Sequence, residues 1–309
     1  MLMKALVIGA SGYIGGSIAA KLKSLNFEVI GTTSAQDRAE ALRELGIEPA
    51  VGSHKDSDFI VPLCGKVDIV INAADSDARL LVESVLDALR GTNKKFIHTS
   101  GSSIVSDTAC GEYSEKTYDE TTPFDPVPQK EARVALDRLI IDASASGVHT
   151  IVICPCLIYG RGLGLSKESI QIPALINQAK KSGIARCVGR GLNVWSTVHI
   201  EDLVELYVLA ATGSIPAGTF LFAENGETNF KNLAEAIRHS LSLTAAVEEW
   251  AIADAASEWG EGMAKFALGS NSRIRGVKSR EYGWKPLRNN VLEDTARMCH
   301  STDMRVAVH

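Results

Sequence analysis

Two hydrophobic patterns alternate along the first half of the chain. Short runs of consecutive apolar residues, which are typical of buried strands, precede segments in which apolar residues recur every three or four positions, as on one face of a helix. The first run covers residues 5–8, and the first helical pattern consists of Ile14, Ile18, Ala19 and Leu22. Strands that alternate with helices in this way predict βαβ units and a parallel sheet.

The same alternation continues to about residue 160. Further strands are predicted at 27–32, 49–51, 67–74, 95–101 and 149–154. Further helices are predicted at 38–45, 80–89 and 132–143. After Tyr159-Gly160 the alternation stops, and the remaining patterns predict one strand at 219–222 and helices at 173–181, 203–211, 230–241 and 291–299. The second half therefore predicts a smaller, mostly helical lobe that is interleaved with the first half.

A glycine-rich turn joins the first predicted strand to the first helix. Gly9 permits the tight turn, Gly12 lets the backbone approach a pyrophosphate, and Gly15 lets the helix pack close to the strand. The free N–H groups and the dipole at the helix start favour a bound anion. The turn therefore predicts a dinucleotide site. The residues expected to hold the pyrophosphate are Gly9, Ser11, Gly12, Tyr13, Ile14 and Gly15.

The residues at the end of the second predicted strand help to distinguish an NAD site from an NADP site. NAD-binding sites usually place Asp or Glu there, to bind the ribose 2′-hydroxyl. This chain has Thr32-Thr33-Ser34 instead, followed by Asp37 and Arg38. Hydroxyls with a nearby arginine suit a 2′-phosphate, so we expect NADP rather than NAD, bound through Thr32, Ser34 and Arg38. The alternative for Arg38 is a solvated charge that opens the next helix.

The composition narrows the classes of function. The 309 residues are 45% hydrophobic and 22% charged, as in ordinary soluble globular proteins. The net charge of −5 argues against a nucleic-acid surface. No leader-like segment precedes the first strand and no long apolar run occurs, so we expect no membrane span. The six cysteines are scattered without a C-x-x-C pair, so we expect reduced thiols, no metal site and a cytoplasmic location.

Several motifs along the chain together resemble the short-chain dehydrogenase/reductase superfamily, and in particular its extended branch, the NAD-dependent epimerase/dehydratase family. The motifs are Gly9-x-x-Gly12-x-x-Gly15, Asn72-Ala73-Ala74, Thr99-Ser100-Gly101, Pro155 with Tyr159-Gly160, Val198-His199-x-x-Asp202 and Tyr282-Gly283-Trp284-Lys285-Pro286. The resemblance implies that Ala73 and Ala74 line the path of the cofactor and that Pro155 lies at the nicotinamide. It also implies a small-molecule substrate and a homodimer formed through two helices.

The resemblance and the patterns together predict the fold class and the domains. We expect an α/β protein with a Rossmann-type, doubly wound parallel sheet and a smaller, mostly helical substrate lobe. The dinucleotide-binding domain is expected at 1–160, completed by about residues 197–224. The substrate lobe is expected at 161–196 and 225–309. Asp202 is expected to cap the helix that follows it.

The chain departs from the family where catalysis is expected. The family uses a Tyr-x-x-x-Lys pair, in which the lysine lowers the pKa of the tyrosine. No such pair occurs here, because Pro126 lies four residues before Lys130. The chain is similar instead to atypical groups in which an arginine and an acid open the helix, here Arg133 and Asp137.

The catalytic residues must therefore be sought elsewhere in the chain. The family serine or threonine that polarises the substrate matches Gly101, so we expect the neighbouring Ser100 and Ser102 to orient a substrate carbonyl. The alternative is that these serines only satisfy backbone groups of the loop. The groups left open as proton donors are Tyr113, Tyr118, Tyr159, Lys130 and water.

The family position for an arginine that binds a nucleotide diphosphate is Trp195 here, which favours an apolar substrate or, alternatively, serves packing of the lobe. We predict an NADP-dependent reductase that acts on a small, apolar carbonyl, imine or enone. Two alternatives stay open. One is a redox-cycling epimerase or dehydratase, and the other is a non-catalytic NADP sensor.

Overall fold

A seven-stranded parallel sheet forms the centre of the computed structural model, which describes residues 2–300. The predicted domain ranges include residue 1 and residues 301–309, which lie outside the described residues. In chain order the strands are β1 Lys4–Ile8, β2 Glu28–Thr33, β3 Glu48–Val51, β4 Ile69–Asn72, β5 Lys95–Thr99, β6 His149–Pro155, β7 Leu157–Tyr159, β8 Arg186–Val188, β9 Val194–His199, β10 Thr219–Ala223, β11 Glu227–Asn229 and β12 Glu248–Trp250.

Helices cover the sheet and build the second lobe. In chain order they are α1 Tyr13–Ser24, α2 Gln36–Glu44, α3 Ser57–Gly65, α4 Arg79–Leu89, α5 Glu131–Asp142, α6 Gln171–Ser182, α7 Ile200–Thr212, α8 Phe230–Ser240, α9 Ile252–Trp259, α10 Glu261–Met263, α11 Val277–Glu281 and α12 Val291–Cys299. Short 3₁₀ turns lie at Ser102–Val105, Pro128–Lys130 and Ala143–Ser146. None of the helices within residues 2–300 combines the length and the apolarity needed to cross a bilayer.

The order of the strands confirms the predicted α/β class. The sheet runs β10-β6-β5-β4-β1-β2-β3, and all its neighbours pair in parallel. The chain moves in one direction from β1 to β3 and in the other from β4 onward, as in a doubly wound Rossmann sheet. Ligands in such sheets bind beyond the carboxyl ends of the strands, at the point where the order reverses. That point lies between β1 and β4.

The central strands are buried on both faces because they are apolar at every position. Ala5, Leu6, Val7 and Ile8 of β1 are all fully buried. Residues that alternate along β1 enter two different hydrophobic clusters, one on each face of the sheet. Helices on both faces are therefore required to keep these side chains from water.

The helix α3 was not predicted. Its sequence contains Pro62, which usually ends a helical pattern, and no regular spacing of apolar residues marks its start. The structure shows that Asp56 caps it, because its carboxylate accepts hydrogen bonds from the backbone N–H groups of Asp58 and Phe59. Ile60 and Cys64 then bury one face of the helix.

The second lobe contains two small sheets besides its helices. One has the order β11-β9-β7, and the other pairs β12 with β8. Its own core includes Tyr159, Trp195 and Phe230. Trp284, which follows α11, packs instead in the core of the central sheet. The two lobes are therefore interleaved in sequence and in space.

Candidate active site

The glycine turn lies between β1 and α1, beside the residues that follow β4. Gly9 has a φ of +87°, and a Cβ added to it would lie 2.8 Å from Cα of Ala74. A Cβ added to Gly15 would lie 2.3 Å from the carbonyl oxygen of Gly9. Both glycines are thus required by close backbone approaches. The first residue before α1 is Gly12, and no side chain within residues 2–300 caps that helix. These features fit a dinucleotide pyrophosphate.

Arg38 lies at the mouth of this turn. Its Nη1 donates a hydrogen bond of 3.0 Å to the carbonyl of Ser11 and lies 3.4 Å from Oγ of Ser166. The hydroxyl of Ser166, in the loop between β7 and α6, donates to the same carbonyl at 2.9 Å. Below the turn, Oγ1 of Thr32 accepts a hydrogen bond from the backbone N–H of Gly9. The sequence contained no signal for Ser166, since it is 155 residues away from Ser11.

The side chain of Tyr13 is directed to the loop after β7 and not to the glycine turn. Its hydroxyl donates a hydrogen bond of 2.9 Å to the carbonyl of Gly160, and its ring lies against Gly162. Burial raises the pKa of this phenol well above its ordinary value. The phenol is therefore engaged by the loop after β7, and the backbone of Tyr13 is the part that faces the turn. Ser34 is exposed at the end of β2, and Pro155 is buried at the end of β6.

Four buried polar side chains meet near the ends of β4 and β5. The hydroxyl of Ser100 donates a hydrogen bond of 2.6 Å to Oδ2 of Asp137. The amide oxygen of Asn72 accepts a hydrogen bond from the N–H of Ala74, so its amide nitrogen donates to Nδ1 of His98. The proton of the neutral imidazole then sits on Nε2, which lies 4.0 Å from Oδ1 of Asp137. Neither of these two atoms has a hydrogen-bond partner within residues 2–300.

Burial shifts the pKa values of Asp137 and His98 in opposite directions. It raises the pKa of Asp137 to about 7, against the opposing effect of the hydrogen bond from Ser100. It lowers the pKa of His98 to about 4. The pair is therefore neutral in mildly acidic solution, although its members lie close enough to form an ion pair.

Arg133 lies beside this group, and its positive charge opposes the rise in the pKa of Asp137. It projects from the first turn of α5, where its Nε donates to Oδ1 of Asp77 at 2.7 Å. Its Nη1 donates to Oγ of Ser103 at 3.3 Å. Asp77 follows β4 and Ser103 follows β5, so the guanidinium joins two neighbouring strand ends. The sequence signals for this group were the spacing of Arg133 and Asp137 and the serines that flank Gly101, among them Ser100 and Ser103; Asp77 was missed.

The other residues proposed for catalysis lie in different surroundings. Ser102 is buried, and its hydroxyl is hydrogen-bonded to Oγ of Ser272 at 2.8 Å. The hydroxyl of Tyr159 donates to the carbonyl of Arg288, and its ring packs edge-on against His199. These contacts tie Ser102 and Tyr159 to the second lobe, and the structure does not bring Tyr159 into the group around Ser100.

Tyr113 and Lys130 are more accessible. Tyr113 is 55% exposed, and its hydroxyl accepts a hydrogen bond of 3.0 Å from Nη1 of Arg273. The amino group of Lys130 lies 5.6 Å from the ring centre of Phe266. Burial lowers the pKa of Lys130, and the nearby charge of Arg133 acts in the same direction. Their roles as proton donors stay predictions.

A cleft of about 250 Å³ begins directly after the 3₁₀ turn that holds Ser103. The apolar side chains that line it are Val105, Tyr118, Phe124 and Val127. The charged side chains that line it are Asp107, Lys116, Asp125 and Arg273. A second cleft of about 600 Å³ lies beside Gly160 and His199. The smaller cleft is lined by Val105, the last residue of that 3₁₀ turn, and by residues that follow it.

Trp195 does not line the smaller cleft. It is 4% exposed and packs in the core of the second lobe. Its indole N–H donates to the carbonyl of Ser270 at 2.9 Å. The packing alternative is therefore the one that the structure shows.

Comparisons with known proteins agree with this geometry. A family model described as the NAD dependent epimerase/dehydratase family matches residues 5–219. An uncharacterized protein of Schizosaccharomyces pombe is 26% identical over 307 residues, which cover 95% of this chain and 98% of that protein. A 4-hydroxy-2-methyl-3-oxo-4-farnesyl-3,4-dihydroquinoline-1-oxide ketoreductase of Stigmatella aurantiaca is 24% identical over 238 residues, which cover 72% of this chain and 69% of that enzyme.

Among solved structures, dTDP-glucose 4,6-dehydratase from Bacillus anthracis in complex with NAD superposes with a TM-score of 0.76. The two proteins are 17% identical, and the match covers 96% of each chain. This likeness shows the fold.

Proposed function

Because the chain belongs to the NAD dependent epimerase/dehydratase family and is an NAD(P)-dependent oxidoreductase-type enzyme, we propose that it is an NADP-dependent reductase. Its substrate is a small, apolar carbonyl, imine or enone compound. The observation that carries the proposal is the position of Arg38 at the mouth of the glycine turn, where the segment 32–36 offers no carboxylate.

The contacts of Arg38 support a 2′-phosphate. In the part of the chain that the structure describes, only Nη1 of its guanidinium is hydrogen-bonded. The remaining N–H groups and the full positive charge are available to a phosphate, for which arginine is well suited. An NAD site would instead need a carboxylate for the 2′-hydroxyl. Thr32 is buried and binds the N–H of Gly9, so among the residues expected at the ribose, Ser34 and Arg38 are the exposed ones.

Aromatic side chains in the smaller cleft support an apolar carbonyl compound as the substrate. Tyr118 and Phe124 line that cleft, alongside charged side chains. The arginine that the family resemblance places at position 195 for a nucleotide diphosphate is missing, since Trp195 stands there and packs in the core of the second lobe. The related ketoreductase is named for a farnesylated quinoline ketone. A bound nicotinamide would supply the hydride, while the protein orients the substrate and excludes water.

The preference for NADP is tested by Arg38→Ala. We expect the Kd for NADPH to rise about 10- to 100-fold, because a charge-assisted hydrogen bond contributes about 1.5–3 kcal/mol, while the Kd for NADH stays nearly constant. Both constants are measured by titration of nicotinamide fluorescence. The matched control is Arg43→Ala, on the same helix, where the arginine pairs with Glu40 at the surface. Equal weakening of NADPH and NADH in Arg38→Ala would contradict the preference.

Turnover is tested with a panel of aromatic aldehydes, ketones and enones, followed by the loss of NADPH absorbance. Oxidation of NADPH by any of these compounds supports the reductase. Tight binding without turnover across the panel would favour the sensor, and a cofactor that stays bound without net consumption would favour the redox-cycling epimerase or dehydratase. The cytoplasmic location and the homodimer stay predictions.

A further inference from the structure

We propose that Arg133 is a catalytic residue of this chain, whose guanidinium binds the carbonyl oxygen of the substrate and stabilises the oxyanion formed there. The inference rests on the reductase function proposed above. In the reaction, bound NADPH would supply the hydride for the new C–H bond at the carbonyl carbon and would leave as NADP⁺. The π electron pair moves to the oxygen beside Arg133, and that oxygen then takes a proton from water.

The hydrogen bonds of Arg133 leave donors for a ligand. A guanidinium has five N–H groups. Nε and Nη2 each donate one to the carboxylate of Asp77, and Nη1 donates one to Oγ of Ser103. Within residues 2–300, one N–H on Nη1 and one on Nη2 therefore stay available. Because Asp77 holds the planar group from one side, these two donors have a defined direction before any substrate binds.

Gly101 shows why the guanidinium can lie there. Its φ of −166° is extended backbone that any residue adopts, so the conformation does not require glycine. A Cβ added to Gly101 would lie 3.1 Å from Nη1 of Arg133, a shorter distance than an ordinary van der Waals contact. A larger side chain such as serine would compete with the guanidinium for this space. Gly101 is also the position at which the family resemblance expects the residue that polarises the substrate, so Nη1 of Arg133 lies beside the place where that side chain would start.

The electrostatic surroundings keep the arginine charged. Burial disfavours its charge, but hydrogen bonds and the negative charge of Asp77 outweigh that effect and raise the pKa of Arg133. A guanidinium is not an efficient proton donor near neutral pH, so Arg133 acts by charge and hydrogen bonding rather than by proton transfer. This role is consistent with the missing Tyr-x-x-x-Lys pair, because stabilisation of an oxyanion does not need a titrating tyrosine.

The binding part of the proposal is tested with benzoate, an aromatic oxyanion that resembles the charged state of an aldehyde substrate. Calorimetric titration of the NADP⁺-saturated protein should show benzoate binding, which Arg133→Ala weakens at least tenfold. The Kd for NADPH and the midpoint of thermal unfolding should change little. The control is Arg138→Ala, an exposed arginine on the same helix. Benzoate binding that is absent in the wild type, or equal in both variants, would contradict the proposal.

The catalytic part is tested with the panel compound that the wild type reduces fastest. Arg133→Ala should lower kcat by about 10²- to 10³-fold, as loss of an oxyanion donor does in other enzymes, with a smaller change in KM. Arg133→Lys keeps the positive charge but lacks the paired N–H groups of the guanidinium, so it should recover only part of the rate. This variant also tests the proposal if Arg133→Ala fails to fold. Guanidinium ions added at millimolar concentration should partly restore the alanine variant.

The close contact between position 101 and the guanidinium of Arg133 is tested by a double-mutant cycle. Gly101→Ser should lower kcat strongly in the wild type, because it displaces the guanidinium, and only weakly in the Arg133→Ala background. Additive effects would overturn the inference, as would a full rate in Arg133→Ala. If the wild type oxidises NADPH while Arg133→Ala is fully active, only the inference fails. If the wild type reduces no compound of the panel, the proposed function fails and the inference with it.

Discussion

At the scale of single residues, Asp137 shows how burial sets the charge of a side chain. Its carboxyl group is 4% exposed and faces Ser100, His98 and the guanidinium of Arg133. Asp77 lies behind that guanidinium, and its negative charge also disfavours ionisation of Asp137. The opposite shifts of Asp137 and His98 have the same cause, because burial disfavours whichever form is charged. The structure therefore keeps a protonated carboxyl group beside a neutral imidazole between about pH 4 and about pH 7.

Asp137→Asn tests this arrangement through the pH dependence of stability. An aspartate in the unfolded chain titrates near 3.9, whereas the folded pKa is about 7. Between these values the folded state holds a proton that the unfolded state has lost, so wild-type stability falls as the pH rises through this window. Asparagine does not titrate. The variant should therefore gain up to about 4 kcal/mol in the free energy of unfolding, relative to the wild type, between pH 4 and pH 8.

The measurement is urea unfolding at steps of one pH unit. The shift of His98 acts in the opposite direction, since its stabilisation is lost as the pH falls from about 6.5 to about 4, but it is present in both proteins and largely cancels in the difference. Asp142→Asn, an exposed aspartate at the end of the same helix, is the control and should show no such trend. A constant difference between Asp137→Asn and wild type would contradict the raised pKa.

At the scale of elements, α7 shows how one carboxylate joins two segments of the chain. The sequence predicts Asp202 as a cap, but the helix begins at Ile200, and Nδ1 of His199 accepts from the N–H of Glu201. The carboxylate of Asp202 instead accepts hydrogen bonds from the backbone N–H groups of Leu287 and Arg288 and from the Arg288 side chain. The prediction of a cap was wrong because the residues that Asp202 binds are far away in sequence.

Asp202→Ala should therefore lower stability by about 3–5 kcal/mol, because it removes a buried charge partner and leaves two N–H groups without their acceptor. The free energy of unfolding in urea measures this loss. Glu205→Ala on the same helix is the control: Glu205 is exposed and pairs with Lys21 at the surface, so its loss should cost less than about 1 kcal/mol. A loss in Asp202→Ala as small as that of the control would show that the segment 287–288 is held by other contacts.

At the scale of the whole molecule, the sheet and the second lobe depend on each other. The edge strand β10 pairs with β6 and is followed by the strand β11 of the second lobe. The core that includes β1 also contains Leu203 and Tyr207 of α7 and Trp284, all from beyond residue 160. The predicted dinucleotide-binding domain, 1–160 completed by about 197–224, includes α7 and β10, whereas Trp284 lies in the range predicted for the substrate lobe. Residues 1–160 alone hold the glycine turn but not all of the core that supports it.

A fragment of residues 1–160 should consequently fail to unfold cooperatively. It would expose the edge of β6 and the apolar surface that α7 and Trp284 cover in the whole chain. Circular dichroism and urea unfolding of the fragment, compared with the whole chain, measure this. A sharp transition in the fragment, together with NADPH binding of normal strength, would show that the first 160 residues fold as an independent domain.

The local pattern of the sequence determined the strands of the central sheet, most of the helices on it and the glycine turn, because each depends on residues close together in the chain. Apolar runs specify buried strands, and Gly9 and Gly15 specify close backbone approaches. Only the tertiary structure decided which side chains meet at the strand ends. Arg133 lies 56 residues from Asp77, and Arg38 lies 128 residues from Ser166. Such contacts depend on how the strands order themselves and where each side chain points, and no local periodicity contains that information.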